Sequence, residues 1–175
     1  MTPTFEQSML PHLDAAYNLA RWLLHNEHDA RDSVQEAYLR AFKAYAGFRG
    51  DNGRAWLLTI VRNICYTRMR RDRRRPPTEI FDEAQHASLD ETLETAARLR
   101  READRARLDA ALAALPEDMR EVIVLHELEG LAYKEIAAIA GIPLGTVMSR
   151  LARARLRLQR ELKQRMTEDD SHGLP

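Results

Sequence analysis

Gly141 constrains this chain more than any other residue. It lies four residues after Ala137 and six before Val147, inside "YKEIAAIAGIPLGTVMSRLARARLRLQREL", residues 133–162. A small residue, a glycine where the chain can turn left-handed, and a β-branched residue at this spacing form the packing pattern of a helix-turn-helix. Ile136, Ala137 and Ile139 supply the packing face of the first helix, and the small Ala137 lets the second helix cross closely. Val147, Leu151, Ala154 and Leu158 recur at helical spacing and face inward. An ordinary helical hairpin would share this spacing, so the outer face of the second helix decides. That face carries Thr146, Ser149, Arg150, Arg153 and Arg157. Small polar residues at the entering end, then arginines that bond guanine edges or phosphates, suit a helix lying in the major groove. Arg155, Arg160 and Lys163 lie further round and read as phosphate or solvent contacts. Any one of these arginines could be a solvated charge; the face as a whole points to duplex DNA.

Upstream, apolar residues again repeat at helical spacing. Leu10, Leu13, Tyr17, Ala20 and Leu24 predict a helix over 5–26. Val34, Tyr38, Ala41, Phe42 and Tyr45 predict a second, which Asp29 is placed to cap with Asp32 three residues on. Leu57, Ile60, Val61 and Ile64 predict a third over 56–71, ended by "RRRPP". "GFRGDNGR", residues 47–54, holds three glycines and reads as a loop. Leu108, Leu112 and Leu115 mark another helix. "LPEDMREVIVLHEL" opens the next, with Pro116 at its first turn and acids at its positive end. Seven glycines and seven prolines in 175 residues leave little room for tight-turned strands. The expected fold is all-α, with two small helical domains at 5–75 and 103–165. A flexible acidic linker, 76–102, joins them, with some loose helix near Leu89 to Arg101. A polar tail, 166–175, is expected to fray.

Charge is distributed in blocks. Residues 54–75 hold eight arginines against one acid, and residues 146–165 hold six arginines and a lysine against one acid. Between them, residues 79–129 hold fourteen acids against six arginines, although the formal net charge of the chain is zero. Two basic blocks around an acidic spacer suggest two contacts with one polyanion; the plain alternative is two solvated helix faces. Cys65 is the one cysteine, which excludes a disulfide framework and a thiolate metal cluster. It sits next to an apolar stripe and reads as a small buried residue. The six histidines are scattered, and none is set with carboxylates or Cys65 at a metal spacing, though His25 and His28 are one turn apart. No Walker loop, G-x-G-x-x-G or triad-like motif is present, so neither a cofactor, a metal nor an enzymatic activity is expected. No apolar run approaches the ~20 residues of a membrane span, and "MTPTFEQSML" lacks the plan of a secretory signal. Together these features point to the cytoplasm and to no membrane insertion.

Two segments carry a family resemblance. "DARDSVQEAYLRAFKAYAGFRG" followed by "AWLLTIVRN" resembles the first conserved domain of the extracytoplasmic-function (ECF) sigma factors of bacterial RNA polymerase. "LPEDMREVIVLHELEGLAYKEIAAIAGIPLGTVMSRLARAR" resembles their last. The likeness covers nearly all of residues 8–165. It implies that the "DxxQE" helix, with Asp32, Gln35 and Glu36 and beside them Asp29, binds a coiled coil on the clamp of the large polymerase subunit. Acids at the positive end of their own helix explain Asp29 and Asp32, but not Gln35 and Glu36 as well. It implies that the third helix opens and reads the minus-ten promoter element through Arg62, Asn63, Tyr66, Arg70 and Arg71, with Asn63 helping to form the pocket of a flipped base. Such melting needs a basic track and pockets for unstacked bases. It implies that Thr146, Ser149, Arg150, Arg153 and Arg157 read the minus-thirty-five element. The implied partners are core RNA polymerase, promoter DNA and an anti-sigma factor. The domains would lie far apart on DNA.

Two other classes compete. A helix-turn-helix regulator that acts without replacing sigma explains the C-terminal half, but leaves the "DxxQE" helix and residues 62–75 without a role. A sigma mimic that titrates an anti-sigma factor predicts weak DNA affinity, against which the basic recognition face argues.

Overall fold

The computed structural model describes residues 3–75 and 95–172, and every regular element among them is a helix. The stretch expected to be one helix over 5–26 is broken at Pro11. α1 (Phe5–Met9) passes through a 3-10 turn (Leu10–His12) into α2 (Leu13–Leu24). Proline has no N–H to donate and crowds the carbonyl four residues back, so the α-ladder stops there. α1 starts in a capping box, with Gln7 N–H donating to Thr4 Oγ1 and Thr4 N–H to Gln7 Oε1. The break turns Leu10 and Leu13 outward, and Met9, Ala16, Leu19, Ala20 and Leu23 form the core face instead.

α2 ends at His25, which adopts a left-handed conformation with φ 52°. The cap of α3 (Glu27–Ala44) is Asn26, not Asp29: Asn26 Oδ1 accepts from Asp29 N–H at 2.9 Å. α4 (Gly53–Arg73) starts three residues earlier than the apolar stripe implies, because Asn52 caps it by accepting from Ala55 N–H at 3.0 Å. α2, α3 and α4 pack around Leu19, Leu23, Val34, Leu57, Leu58 and Val61, all buried.

The C-terminal unit begins earlier than the expected Ala103, with α5 (Thr95–Ala113). Residues 76–94 of the expected linker lie outside the described residues. Pro116 precedes α6 (Glu117–Ile123), which carries Glu117 and Asp118 in its first turn. α6 runs on into a π-turn, Val124–Leu128, in which Glu129 N–H reaches back five residues to the Val124 carbonyl at 3.0 Å. α7 (Tyr133–Ala140) and α8 (Leu144–His172) meet at a bend of 102°, with Gly141 at φ 65° between them. That is the helix-turn-helix read from the spacing, and Ile136, Ile139, Val147, Leu151 and Ala154 are its buried seam. α8 continues to His172, through most of the tail expected to fray. Neither glycine nor proline occurs between Gly145 and Gly173, and Glu161 and Arg165 pair one turn apart at 3.7 Å.

The two units pack against each other, α2 against α6 and α4 against α7. Arg120 lies in this junction, 5% exposed. Its guanidinium donates to the carbonyls of Leu112, Ala113 and Leu115 at the end of α5, and to Trp22 O in α2 at 3.3 Å. One cation thereby satisfies carbonyls at the C-terminal ends of two helices, where the helix dipoles are negative. Among the described residues, no single helix is long and apolar enough to cross a membrane.

Candidate polymerase and nucleic-acid interfaces

α4 presents Arg54, Arg62, Tyr66 and Arg73 to the C-terminal unit, where carboxylates receive them. Glu121 of α6 is fully buried. Its Oε1 accepts from Arg62 Nε at 2.6 Å and its Oε2 from the Tyr66 hydroxyl at 2.9 Å, while the Arg62 guanidinium lies 4.2 Å over the Tyr66 ring. Burial, then the neighbouring Glu121 charge, push the Tyr66 phenol well above its ordinary pKa, so it stays protonated and donates. The hydrogen bond and charge of Glu121 outweigh the desolvation of Arg62 and raise its pKa. Glu129 accepts from Asn18 at 3.0 Å and from Arg54 at 3.0 Å. Glu135 accepts from Asn52 Nδ2 at 2.6 Å while its other oxygen caps α7 through Ala132 N–H. Arg73 pairs with Glu117.

Arg62 and Tyr66 are thus brought together and are occupied. Asn63, Arg70 and Arg71 are exposed on the same helix, and Arg71 faces Asp72 at 3.7 Å. Trp56 is half-buried, packed against the core and stacked on Phe48 with ring centroids 4.6 Å apart.

On α8, Ser149, Arg153 and Arg157 are exposed and Thr146 is half-buried. Ser149 donates to Thr146 O at 3.1 Å and Arg153 Nε to Ser149 O at 3.3 Å, which holds both along the helix. Arg150 differs from its neighbours: it turns back to Asp118 at 3.4 Å. Arg155, further round, pairs with Glu127 at 2.7 Å.

On α3, Gln35 is exposed and Asp32 and Glu36 are half-buried; Asp32 pairs with His28 at 3.4 Å and Glu36 with Arg40. Asp29 is set apart, held by Arg68 of α4 at 2.5 Å. The histidine reading therefore needs correction: ligand atoms of His28, Asp29 and Asp32 lie within 4.8 Å of one another, because i, i+1 and i+4 meet on one helix edge. This group is solvent-facing, and Asp29 is committed to Arg68. Next to it runs an apolar groove between α1–α2 and α3, lined by Leu10, Leu13, Tyr17, Gln35, Leu39 and Phe42. Leu39 is 58% and Phe42 60% exposed.

Sequence reasoning missed Glu121 and Glu129, which were read as spacer charge, as well as Glu135, which was given no role, and the groove. One usable signal was the i, i+4 pair Glu117 and Glu121 on a helix otherwise built for burial. Cys65 is buried as expected, and burial pushes its thiol up to about 12.

Two family models match this chain, sigma-70 region 2 over residues 9–75 and sigma-70 region 4 over residues 105–158. The RNA polymerase sigma-H factor of Pseudomonas aeruginosa is 35% identical over 153 residues, covering 83% of this chain and 79% of that one. The ECF RNA polymerase sigma-E factor of Escherichia coli is 40% identical over 134 residues, 73% of this chain and 70% of that one. Among solved structures, the sigma factor RpoE of Bartonella quintana, in complex with the anti-sigma factor NepR, aligns with a TM-score of 0.70 at 34% identity, over 91% of this chain and 96% of that one. CnrH in complex with the cytosolic domain of CnrY aligns at 0.64 and 31%, over 91% and 88%. Sigma-70 region 2 followed by sigma-70 region 4 in one helical chain defines a sigma-70-type initiation factor. The chain belongs to the ECF sigma factors of bacterial RNA polymerase. It directs the polymerase to promoters.

Proposed function

We propose that the three faces divide this task. α8 reads the minus-thirty-five element through Thr146, Ser149, Arg153 and Arg157, with Arg150 released from Asp118 on binding. α4 takes the opened strand at the minus-ten element through Arg62, Asn63, Tyr66, Arg70 and Arg71. α3 docks on the polymerase clamp through Asp32, Gln35 and Glu36, with Asp29 acting through Arg68 to orient α3 on α4. The observation that carries this reading is the open, basic outer face of α8 at the end of a 102° helix-turn-helix. The division into 5–75 and 103–165, with 76–102 as linker and 166–175 as tail, is supported by family-model matches over 9–75 and 105–158, although α5 starts within that linker at Thr95 and α8 runs into that tail. The chain contributes recognition and no catalytic group; the polymerase performs the chemistry, in the cytoplasm. RpoE is solved in complex with the anti-sigma factor NepR and CnrH with the cytosolic domain of CnrY, which supports an anti-sigma factor that holds this chain when it is idle.

Reconstituted transcription tests this. Purified protein, sigma-free core polymerase and fragmented genomic DNA are expected to yield discrete transcript starts sharing two upstream motifs. Asp32→Arg with Glu36→Arg is expected to abolish starts and polymerase binding while leaving the helical circular dichroism intact. Starts that survive the double reversal would remove α3 from the clamp. No starts and no polymerase binding from the parent protein would favour the regulator that does not replace sigma.

A further inference from the structure

The recognition helix carries an apolar row that the charges beside it do not explain. Leu144, Met148, Ala152 and Leu156 recur every four residues of α8 and so stand one above another on one face. All four are exposed, Leu144 by 41%, Met148 by 53% and Leu156 by 55%. The next row round the helix is Gly145, Ser149, Arg153 and Arg157, also exposed. The fold gains nothing from apolar side chains left in water here, because Ile136, Ile139, Val147 and Leu151 close the seam of the motif on the opposite side. A contiguous apolar row of this kind marks a surface that something covers. Gly145 points the same way. Its φ is not left-handed, and a Cβ there would meet nothing within 4 Å, so neither backbone nor packing demands glycine. Its missing side chain lets the start of α8 come closer to a surface outside the chain.

Duplex DNA fits this face better than a protein does. A protein partner would have to match the neighbouring arginines with acids, whereas the major groove has phosphates along both edges. From Leu144 to Ala152 the row is about 12 Å long at the rise of an α-helix, which matches the width of that groove. Leu156 lies a turn beyond. Within the groove, thymine is the base that presents a methyl group, and apolar side chains recognise it by contact. We propose that Met148 is a specificity-determining residue that reads a thymine methyl in the minus-thirty-five element, with Leu144 and Ala152 completing the apolar wall. The flexible thioether follows the methyl, while Ser149 and Arg153 on the adjoining row bond base edges or phosphates. The proposal deepens the reading of α8 as the minus-thirty-five helix and rests on it.

The probe is the strongest promoter recovered by the reconstituted transcription, made as synthetic duplexes in which each thymine of the upstream element is replaced in turn by uracil. That change removes one methyl from the major groove and leaves every hydrogen-bonding group in place. Holoenzyme assembled from the full chain and core polymerase is titrated on these duplexes by mobility shift at one fixed ionic strength. For the parent, uracil at one position at least is expected to weaken binding by about fourfold, the factor that burying one methyl group brings. Met148→Ala is expected to lose a similar factor on the thymine duplex and no longer to distinguish uracil at that position. Met148→Arg is expected to prefer guanine there. Equal discrimination against uracil by the parent and by Met148→Ala overturns the proposal, as does a parent indifferent to every replacement. A Met148→Ala chain that no longer binds core polymerase also overturns it, in favour of a protein contact on this row. Arg153→Ala keeps the two claims apart. Weaker binding by Arg153→Ala, with uracil tolerated by the parent, removes Met148 alone; undiminished binding by Arg153→Ala together with that tolerance removes α8 from the element.

Discussion

Arg120 and Glu121 are adjacent in sequence and both buried, but their charges are met in different ways. Glu121 faces a cation and a phenol. Arg120 faces backbone carbonyls, and no carboxylate lies within ion-pairing distance of it among the described residues. Burial lowers the Arg120 pKa, with the nearby Glu117 charge opposing this. Arg120→Met should therefore strand several buried carbonyls at once and cost on the order of 3 kcal/mol, read from urea denaturation. Arg120→Lys should recover little, because an ammonium lacks the planar fork that reaches carbonyls of two helices. Cys65 offers a cleaner residue-scale test. Its thiol is held near 12 by burial, against an ordinary value of 9.0, and the nearby Ser33 hydroxyl and the charge of Arg68 only partly offset that. The neutral thiol is favoured in the fold, so this contribution is full below pH 9 and is lost as pH rises towards 12. Iodoacetamide at pH 8 should leave the native protein unmodified and alkylate it completely in denaturant; prompt native labelling would place Cys65 at the surface.

At the scale of elements, Gly141 is the hinge of the recognition motif. Its φ of 65° is left-handed, and a Cβ there meets nothing within 4 Å, so the cost of Gly141→Ala is backbone strain alone. We expect about 1–2 kcal/mol from urea denaturation, and less for Gly141→Asn, which tolerates that conformation. Arg153→Ala, by contrast, should leave stability within about 0.5 kcal/mol and weaken duplex promoter binding. This part of the molecule was legible because its constraints are local: Ala137, Gly141 and Val147 specify the turn, and a 3.6-residue period specifies the seam. The breaks elsewhere were less legible. Pro11 interrupts a stripe whose periodicity runs straight through it, and Asn26 displaces Asp29 as cap because either side chain could serve. The partners of Arg62 and Tyr66 were not legible at all, since periodicity says which way a residue points on its helix but not which distant helix arrives there. An acid 59 positions from Arg62 leaves no periodic trace.

For the whole molecule, the question is whether two units behave as one. Both tryptophans, Trp22 and Trp56, belong to the first unit, whereas helix is spread over both. Indole fluorescence therefore follows one half and circular dichroism follows all of it. With Arg120 and Glu121 bridging the seam, the two urea transitions should coincide in the parent protein. They should separate in Glu121→Ala, where Arg62 loses its buried partner; coincidence in that variant would show that apolar packing alone couples the halves. The groove beside α3 has an effect on a still larger scale. Leu10, Leu13, Leu39 and Phe42 remain uncovered in the isolated chain. Patches of this kind make molecules of one species adhere to each other as their number rises. A cell making this protein faster than partners cover it meets precipitation as a dosage ceiling, and overproduction should drive it into inclusion bodies that co-expression prevents.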